Sequence, residues 1–335
     1  MAEKLIRTGH QDNQLGLGIF RSGVKMSHLQ LVLAIEEHGQ ISAAAEVLGI
    51  SQPAASRMLT EIEGVLKAPI CERVARGVEL TRYGRALARR ARAILLELRE
   101  TTREIAELKA GNSGKVSLGS VTGPALSLAV PAIRQVTTAY PGIEISVQIE
   151  NSNVLVRELI AARHDFVIGR IPDDVDPKQF NMVVIGEEDV RLIVRDGHPL
   201  LERGAVEVAD LPGFDWVFQP TGTLLRRAVE DSFMQAGIAL PATVINTSSI
   251  ILTLAMVRNS NVIAPVAHDV ANVIAGSGGQ LGGICVLPNR FPIKIRPFGL
   301  ITARDRALPP SAKLLYDLIL QQGAATSASN HQDMA

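Results

Sequence analysis

The sequence predicts a multidomain chain. A mainly α N-terminal third leads through one long helix into α/β C-terminal two thirds. Three observations carry this. Short helical stripes interrupted by glycine fill residues 28–66; residues 83–110 contain no proline and only Gly84; and beyond residue 116 apolar strands alternate with helices. The length of 335 residues corresponds to about two domains, and 47% apolar residues exclude global disorder. Two cysteines, Cys71 and Cys285, are too few for a disulfide framework and too far apart for a zinc motif. A reduced, cytoplasmic compartment is therefore expected. No apolar run reaches the roughly 18 residues that would cross a membrane. Residues 1–25 lack a signal-peptide core and read as a flexible extension, so export is not expected.

Lys+Arg and Asp+Glu balance at 34 each, but not locally: residues 51–92 hold nine Lys/Arg against four Glu, a net +5. A solvated helix face would explain that excess by itself; the local pattern adds more. Residues 28–39 form a helix with Leu29, Val32, Leu33 and Ile35 inward, stopped at Gly39. Ser42 is expected to cap a short helix, Ala43–Leu48, closed by Gly49. Ser51 caps a third helix with Pro53 in its first turn. Ala55, Met58, Leu59, Ile62, Val65 and Leu66 share one face of it, and Gln52, Ser56, Arg57 and Thr60 the other. Two helices joined by a short glycine turn are either a DNA-reading helix-turn-helix or an ordinary helical hairpin. Ile70–Val74 and Val78–Leu80, around Arg76-Gly77, read as a hairpin wing that places Arg73, Arg76 and Arg82 for phosphates. Thr81 is expected to cap the long helix.

Leu87, Ala91, Ile94, Leu98, Thr101, Ile105 and Leu108 recur in steps of four and three, a heptad seam that predicts pairing with a second copy. Packing on its own domain is the competing reading. A dimer would place two recognition helices on a pseudo-palindromic double-stranded DNA site.

The run from Leu29 to Gly84 resembles the winged helix-turn-helix of LysR-type transcriptional regulators. The resemblance rests on Ala44-Ala45, then Ser51-Gln52-Pro53-Ala54, Ser56, Ile62, Glu63 and Leu66, and on Glu72-Arg73 and Leu80-Thr81 before Gly84 in the wing. Where the family places a bulky residue, this chain has Ile70-Cys71, so Cys71 reads as wing core and not as a redox sensor. The 25-residue extension is longer than is usual in the family. The resemblance implies a winged domain at 26–83 and a linker helix at 84–112. It also implies an effector domain at 113–323, built like a periplasmic binding protein, followed by a tail at 324–335. Within the effector domain it implies lobe I at 115–189 plus 290–322 and lobe II at 190–289. It implies a homodimer that goes on to a tetramer, and RNA polymerase as a partner if the protein activates.

In the C-terminal part, strands are predicted at 116–121, 143–149, 166–169, 190–194, 244–246, 262–264, 285–287 and 297–302, mostly parallel. Helices are predicted at 124–139, 154–163, 224–236, 249–259, 266–275 and 311–322, and a hinge at Gly111-Asn112-Ser113-Gly114. Ligands of such sheets sit at the carboxyl ends of strands. That rule nominates Ser120, Thr122, Arg170, Gln219, Thr221, Thr247, Ser248 and Pro265 for an effector; a helix cap or loop hydrogen bond is the alternative for each Ser and Thr.

Catalytic and cofactor signatures are missing. The glycine-rich run Gly276–Gly283 follows a helix, the wrong context for a dinucleotide loop. The seven His residues are scattered, and Asp173-Asp174 and Glu187-Glu188-Asp189 read as solvated loop charges. No cofactor, metal or catalytic residue is expected. The resulting expectation is a DNA-binding regulator controlled by an organic acid, an aromatic acid or a sugar. A solute-binding protein, or an α/β enzyme with a helical appendage, is the alternative, and neither would bind DNA in a sequence-specific, salt-sensitive way.

Overall fold

The computed structural model describes residues 23–110, 113–275 and 283–332. Gly111-Asn112 of the expected hinge, most of the 1–25 extension and residues 276–282 of the glycine-rich run lie outside the described residues. The chain divides into two units, Met1–Arg103 and Glu104–Ala335.

In the first unit, helix α1 (Met26–His38) buries Leu29, Leu31, Val32 and Ile35 and ends at Gly39 in a left-handed conformation. Buried His28 accepts from the Lys25 amide and faces Glu61, a structural role. Helix α2 (Ile41–Val47) buries Ala44 and Ala45, and Gly49 has φ +66°. The helix starts earlier than a cap at Ser42 predicts. Gln40, in extended conformation, takes the cap position, its carbonyl accepts from Ala44, and Ser42 falls inside the first turn. Helix α3 (Gln52–Leu66) buries Ala55, Leu59 and Ile62. Ser51 sits at its N-cap position, but its hydroxyl makes no capping bond; its carbonyl accepts from Ala54 and Ala55 instead.

Strands β1 (Cys71–Val74) and β2 (Gly77–Leu80) pair antiparallel as the wing. Glu63, inside α3, accepts from the amides of Ile70 (2.7 Å) and Cys71 (3.3 Å), tying the helix to the wing. Gly77 has φ +121°, and any Cβ there would strike the Gly39 carbonyl, which also accepts from Val78. Glycine is required at this joint on both counts. Thr81 caps helix α4 (Arg82–Ala110) as predicted, accepting from Gly84 at 3.1 Å while donating to Pro69 at 2.6 Å.

In the second unit, β3 (Ser113–Ser120) lies between parallel neighbours β4 (Gly142–Ile149) and β5 (Phe166–Gly169). A short helical turn at 122–124 and a π-helical turn at Ala125–Ala129 lead into α5 (Val130–Ala139), and α6 spans Ser152–Ile160. Ser113 and Gly114, expected in a hinge, open β3 instead. The 16-residue strand β6 (Phe180–Arg195) and strand β11 (Lys294–Ala303) run antiparallel to each other. The first half of β6 pairs with β11, which also borders β5; its second half pairs with β9 (Ala264–Ala267) and β10 (Ile284–Leu287). The mostly parallel sheet is thereby corrected: the two long crossing strands make their own pairs antiparallel. Among the described strands, only β3–β4, β3–β5 and the β7 (Trp216–Phe218)–β8 (Val244–Asn246) pair are parallel.

Helices α7 (Leu224–Gln235), α8 (Ile250–Asn259), α9 (His268–Ala275) and α10 (Pro310–Gln332) complete the unit. Strand β7 is not among the strands the sequence predicts. Helix α10 continues past the expected start of a tail at 324, where alanines favour helix. One core gathers Leu118, Phe166, Ile168, Leu300 and Leu315; another gathers Leu192, Trp216, Phe218, Phe233 and Leu287. Each such fully buried side chain contributes about 1.5–3 kcal/mol. Strands β6 and β11 join these two lobes.

Candidate DNA-reading surface and effector cleft

The polar face of α3 is open to solvent. Gln52, Pro53, Arg57 and Thr60 are exposed, Ala54 and Ser56 half-buried, and Ser42 and Ser51 exposed beside them. Thr60 donates to the Ser56 carbonyl of its own helix at 3.0 Å, so its hydroxyl is partly committed. Arg73 and Arg76 project from the wing. Among the described residues Arg57, Arg73 and Arg76 have no hydrogen-bond or ion-pair partner, whereas Arg82 lies over the Tyr83 ring at 4.6 Å. Exposed, uncommitted guanidinium groups are suited to phosphate oxygens and guanine edges. Cys71 packs against the core of this unit. Burial, with Glu63 adding to it, pushes its thiol up to about 11, so it is protonated and inert at neutral pH.

The heptad seam of α4 divides in two. Ala91 is fully buried in its own unit and Leu87 and Ile94 pack beside it, so these positions serve the first unit's core. Leu98, Ile105 and Leu108 remain 46%, 48% and 68% exposed. This second half of the seam is the more exposed one.

Between the two lobes lies a cavity of about 140 Å³, comparable to a void that admits one benzene-sized ring. Thr122, Arg170, Gln219, Thr247, Ser248 and Pro265, all nominated from the sequence, line it. Ser120 and Thr221 do not. The Ser120 hydroxyl is buried and donates to the Val121 carbonyl at 2.9 Å, and Thr221 is exposed on a turn while Thr223 takes the lining position. Asn151, Ser152 and Asn153, at the start of α6, escape the sequence reading, as do Glu150 and Glu188. An Asn-Ser-Asn run beginning a helix after a strand is the signal that could have found the first three.

Glu188 also corrects the reading of 187–189 as a solvated loop. It lies in β6 opposite Ile295 of β11 and is 8% exposed. Arg170, at the end of β5 and 4% exposed, reaches across β11. Its Nε donates to the Arg296 carbonyl (2.5 Å) and its Nη2 to Glu188 Oε2 (2.8 Å). The Arg170 amide donates to Ser152 Oγ. Burial pushes the Glu188 carboxyl up, and the neighbouring Arg170 opposes that shift. Asp173 is held by Arg296 at 2.8 Å and approached by Arg227 of α7 at 3.7 Å, and Asp174 by Arg157. Among the described residues the lining contains one cation and two carboxylates, with the cation already paired. Among the same residues the side chains of Thr122, Asn153, Gln219 and Ser248 line the cavity without a hydrogen-bond partner.

One Ser-His-Glu chain also escapes the sequence reading: Ser117 Oγ lies 3.1 Å from His164 Nδ1, and His164 Nε2 lies 3.1 Å from Glu158. Ser117 donates its proton to the Arg163 carbonyl at 2.7 Å, so His164 does not receive it as a general base would. The arrangement ties β3 to the turn after α6.

The family model "Bacterial regulatory helix-turn-helix protein, lysR family" matches residues 26–85, and "LysR substrate binding domain" matches residues 109–324. The chain is 59% identical over 253 residues to the HTH-type transcriptional regulator GbpR of Rhizobium radiobacter, covering 75% of this chain and 84% of the relative. It is 38% identical over 294 residues to GbpR of Azospirillum brasilense, covering 88% and 85%. Among solved structures, full-length CbnR with its target DNA matches at TM-score 0.60 and 22% identity, over 89% of this chain and 100% of that one. A full-length OxyR variant from Pseudomonas aeruginosa matches at TM-score 0.60 and 19% identity, over 88% and 94%. These structures share the fold, and among the described residues no helix is long and apolar enough to cross a membrane. The chain belongs to the LysR family and is a DNA-binding transcriptional regulator, not an enzyme, with an effector-binding domain.

Proposed function

We propose that the protein reads a dyad-symmetric promoter site as a homodimer, or a tetramer built from it, under control of a small molecule held between its two α/β lobes. Gln52, Ser56 and Arg57 read base edges; Arg73 and Arg76, with Arg82, hold phosphates. The exposed Leu98, Ile105 and Leu108 form the dimer seam. This role places the protein in the bacterial cytoplasm, on the nucleoid.

The observation that carries the effector class is the Arg170–Glu188 pair. Of an organic acid, an aromatic acid and a sugar, a carboxylate finds no uncommitted cation among the described residues of the lining. Thr122, Asn153, Gln219 and Ser248 each donate and accept, as hydroxyl groups require. The effector is a neutral, hydroxyl-rich single ring, a monosaccharide or close relative.

The test is selection of sheared genomic DNA by the purified protein, repeated with a panel of aldoses. Enrichment of a few dyad-symmetric sites is expected, with affinity falling about 10³–10⁵-fold between 50 and 200 mM salt if six or more phosphates are contacted. An aldose that alters retention would support the effector class. Uniform retention at every salt concentration would remove the dyad-site reading by these residues, and a response only to carboxylates would remove the sugar.

A further inference from the structure

Glu188 sits where an acidic effector's carboxylate would meet the one cation among the described lining residues. It is 8% exposed, lines the cavity, and takes the Nη2 donor of Arg170, the one cation among the described lining residues. Its other oxygen packs against Gly123, where any Cβ would collide with it. Glycine at 123 thus makes room for this carboxylate. The pair is anchored from behind: the Arg296 carbonyl accepts from the Arg170 guanidinium, Ser152 Oγ accepts from the Arg170 backbone amide, and β6 holds Glu188. Arg170 cannot swing out toward a ligand without losing the Arg296 carbonyl as well.

We propose that Glu188 determines effector specificity: it acts as a tethered anion that occupies Arg170 and excludes carboxylate effectors from the cleft. A negatively charged ligand must either displace it or be buried beside it, and like charges in a water-poor site repel strongly. A neutral polyol meets no such barrier and gains an acceptor for its hydroxyl protons. This inference rests on the interlobe cavity being the effector site, but not on the effector being a sugar.

The experiment uses the full chain and Glu188→Gln, which keeps shape and removes charge. The probes are a panel of aldopyranoses, the matching uronates, benzoate and acetate. Binding is read from the fluorescence of Trp216, the only tryptophan, whose ring stacks 5.0 Å from the cavity-lining Phe218. Thermal melting confirms that each variant is folded. The parent is expected to reject every acid, and E188Q to bind at least one at least about tenfold more tightly, since Arg170 is then available for a charge-assisted pair. Arg170→Gln in the E188Q background is expected to abolish that gain.

A folded E188Q that gains no acid binding, or a parent that binds uronates as well as aldoses, overturns the proposal. Acid binding gained by E188Q while no aldose binds the parent sustains Glu188 as the charge filter and overturns the sugar reading alone.

Discussion

Arg57 and Arg170 show how differently the two units use a positive charge. Arg57 stands on the open face of α3 with no partner among the described residues. Arg170 is 4% exposed, and its guanidinium donates to Glu188 and to the Arg296 carbonyl. A guanidinium in water costs the fold nothing and remains free for phosphate or guanine. One inside the cleft is desolvated and must be neutralised by the protein itself. The exposed face of α3 can therefore carry solvated charges, whereas the cleft pairs its one described cation with Glu188 and sets Glu150 among neutral polar groups.

The largest expected effect follows from removing one member of that pair. Arg170→Ala leaves Glu188 buried and uncompensated and should cost about 3–5 kcal/mol in urea unfolding of the effector unit. A loss below about 1 kcal/mol would mean that Glu188 reaches water, and the contrast would fail. Arg57→Ala should leave unfolding unchanged within about 0.5 kcal/mol. It should nevertheless remove about 1–3 kcal/mol of discrimination between a selected site and a mismatched one. Equal affinity for both sites in parent and variant would take Arg57 out of the reading set.

The same contrast runs along α4, where Ala91 is fully buried and Leu98 half exposed. Leu98→Glu should weaken dimerisation by about tenfold, roughly the 1.5 kcal/mol of one lost apolar contact, measured by sedimentation equilibrium. An unchanged dimer would assign association to the effector unit. The smallest effect on function concerns Cys71. With its thiol raised to about 11 from the ordinary 9.0, its thiolate fraction at pH 8 falls about a hundredfold, since each unit is a factor of ten. The more basic thiolate is also the better nucleophile, which returns about tenfold of this, so its reaction with a disulfide reagent should slow by about tenfold. Rapid modification of Cys71 would show the wing opening in solution.

The legible parts of this molecule are those governed by nearest neighbours in sequence. The α3 stripe, the Gly39 stop, the Thr81 cap and the hairpin wing can all be read from the residues. Six of eight cleft nominations line the cavity because strand ends and helix starts are local features too. Ser42 is misplaced as a cap because Gln40, a weaker capping residue, already occupies the extended position ahead of α2. Part of the heptad seam is shared with the first unit's own core, because spacing shows that a face is apolar but not which surface covers it.

The sequence by itself determined the two-part organisation, the helix-turn-helix with its wing, and the polar character of the cleft, since periodicity and capping act over a turn or two of chain. Tertiary structure alone decided that Arg170 and Glu188 meet. β5 and β6 both border β11, and only that strand order carries one side chain across to the other. Burial then turned a carboxylate that looked like surface charge into the partner of the cleft's Arg170.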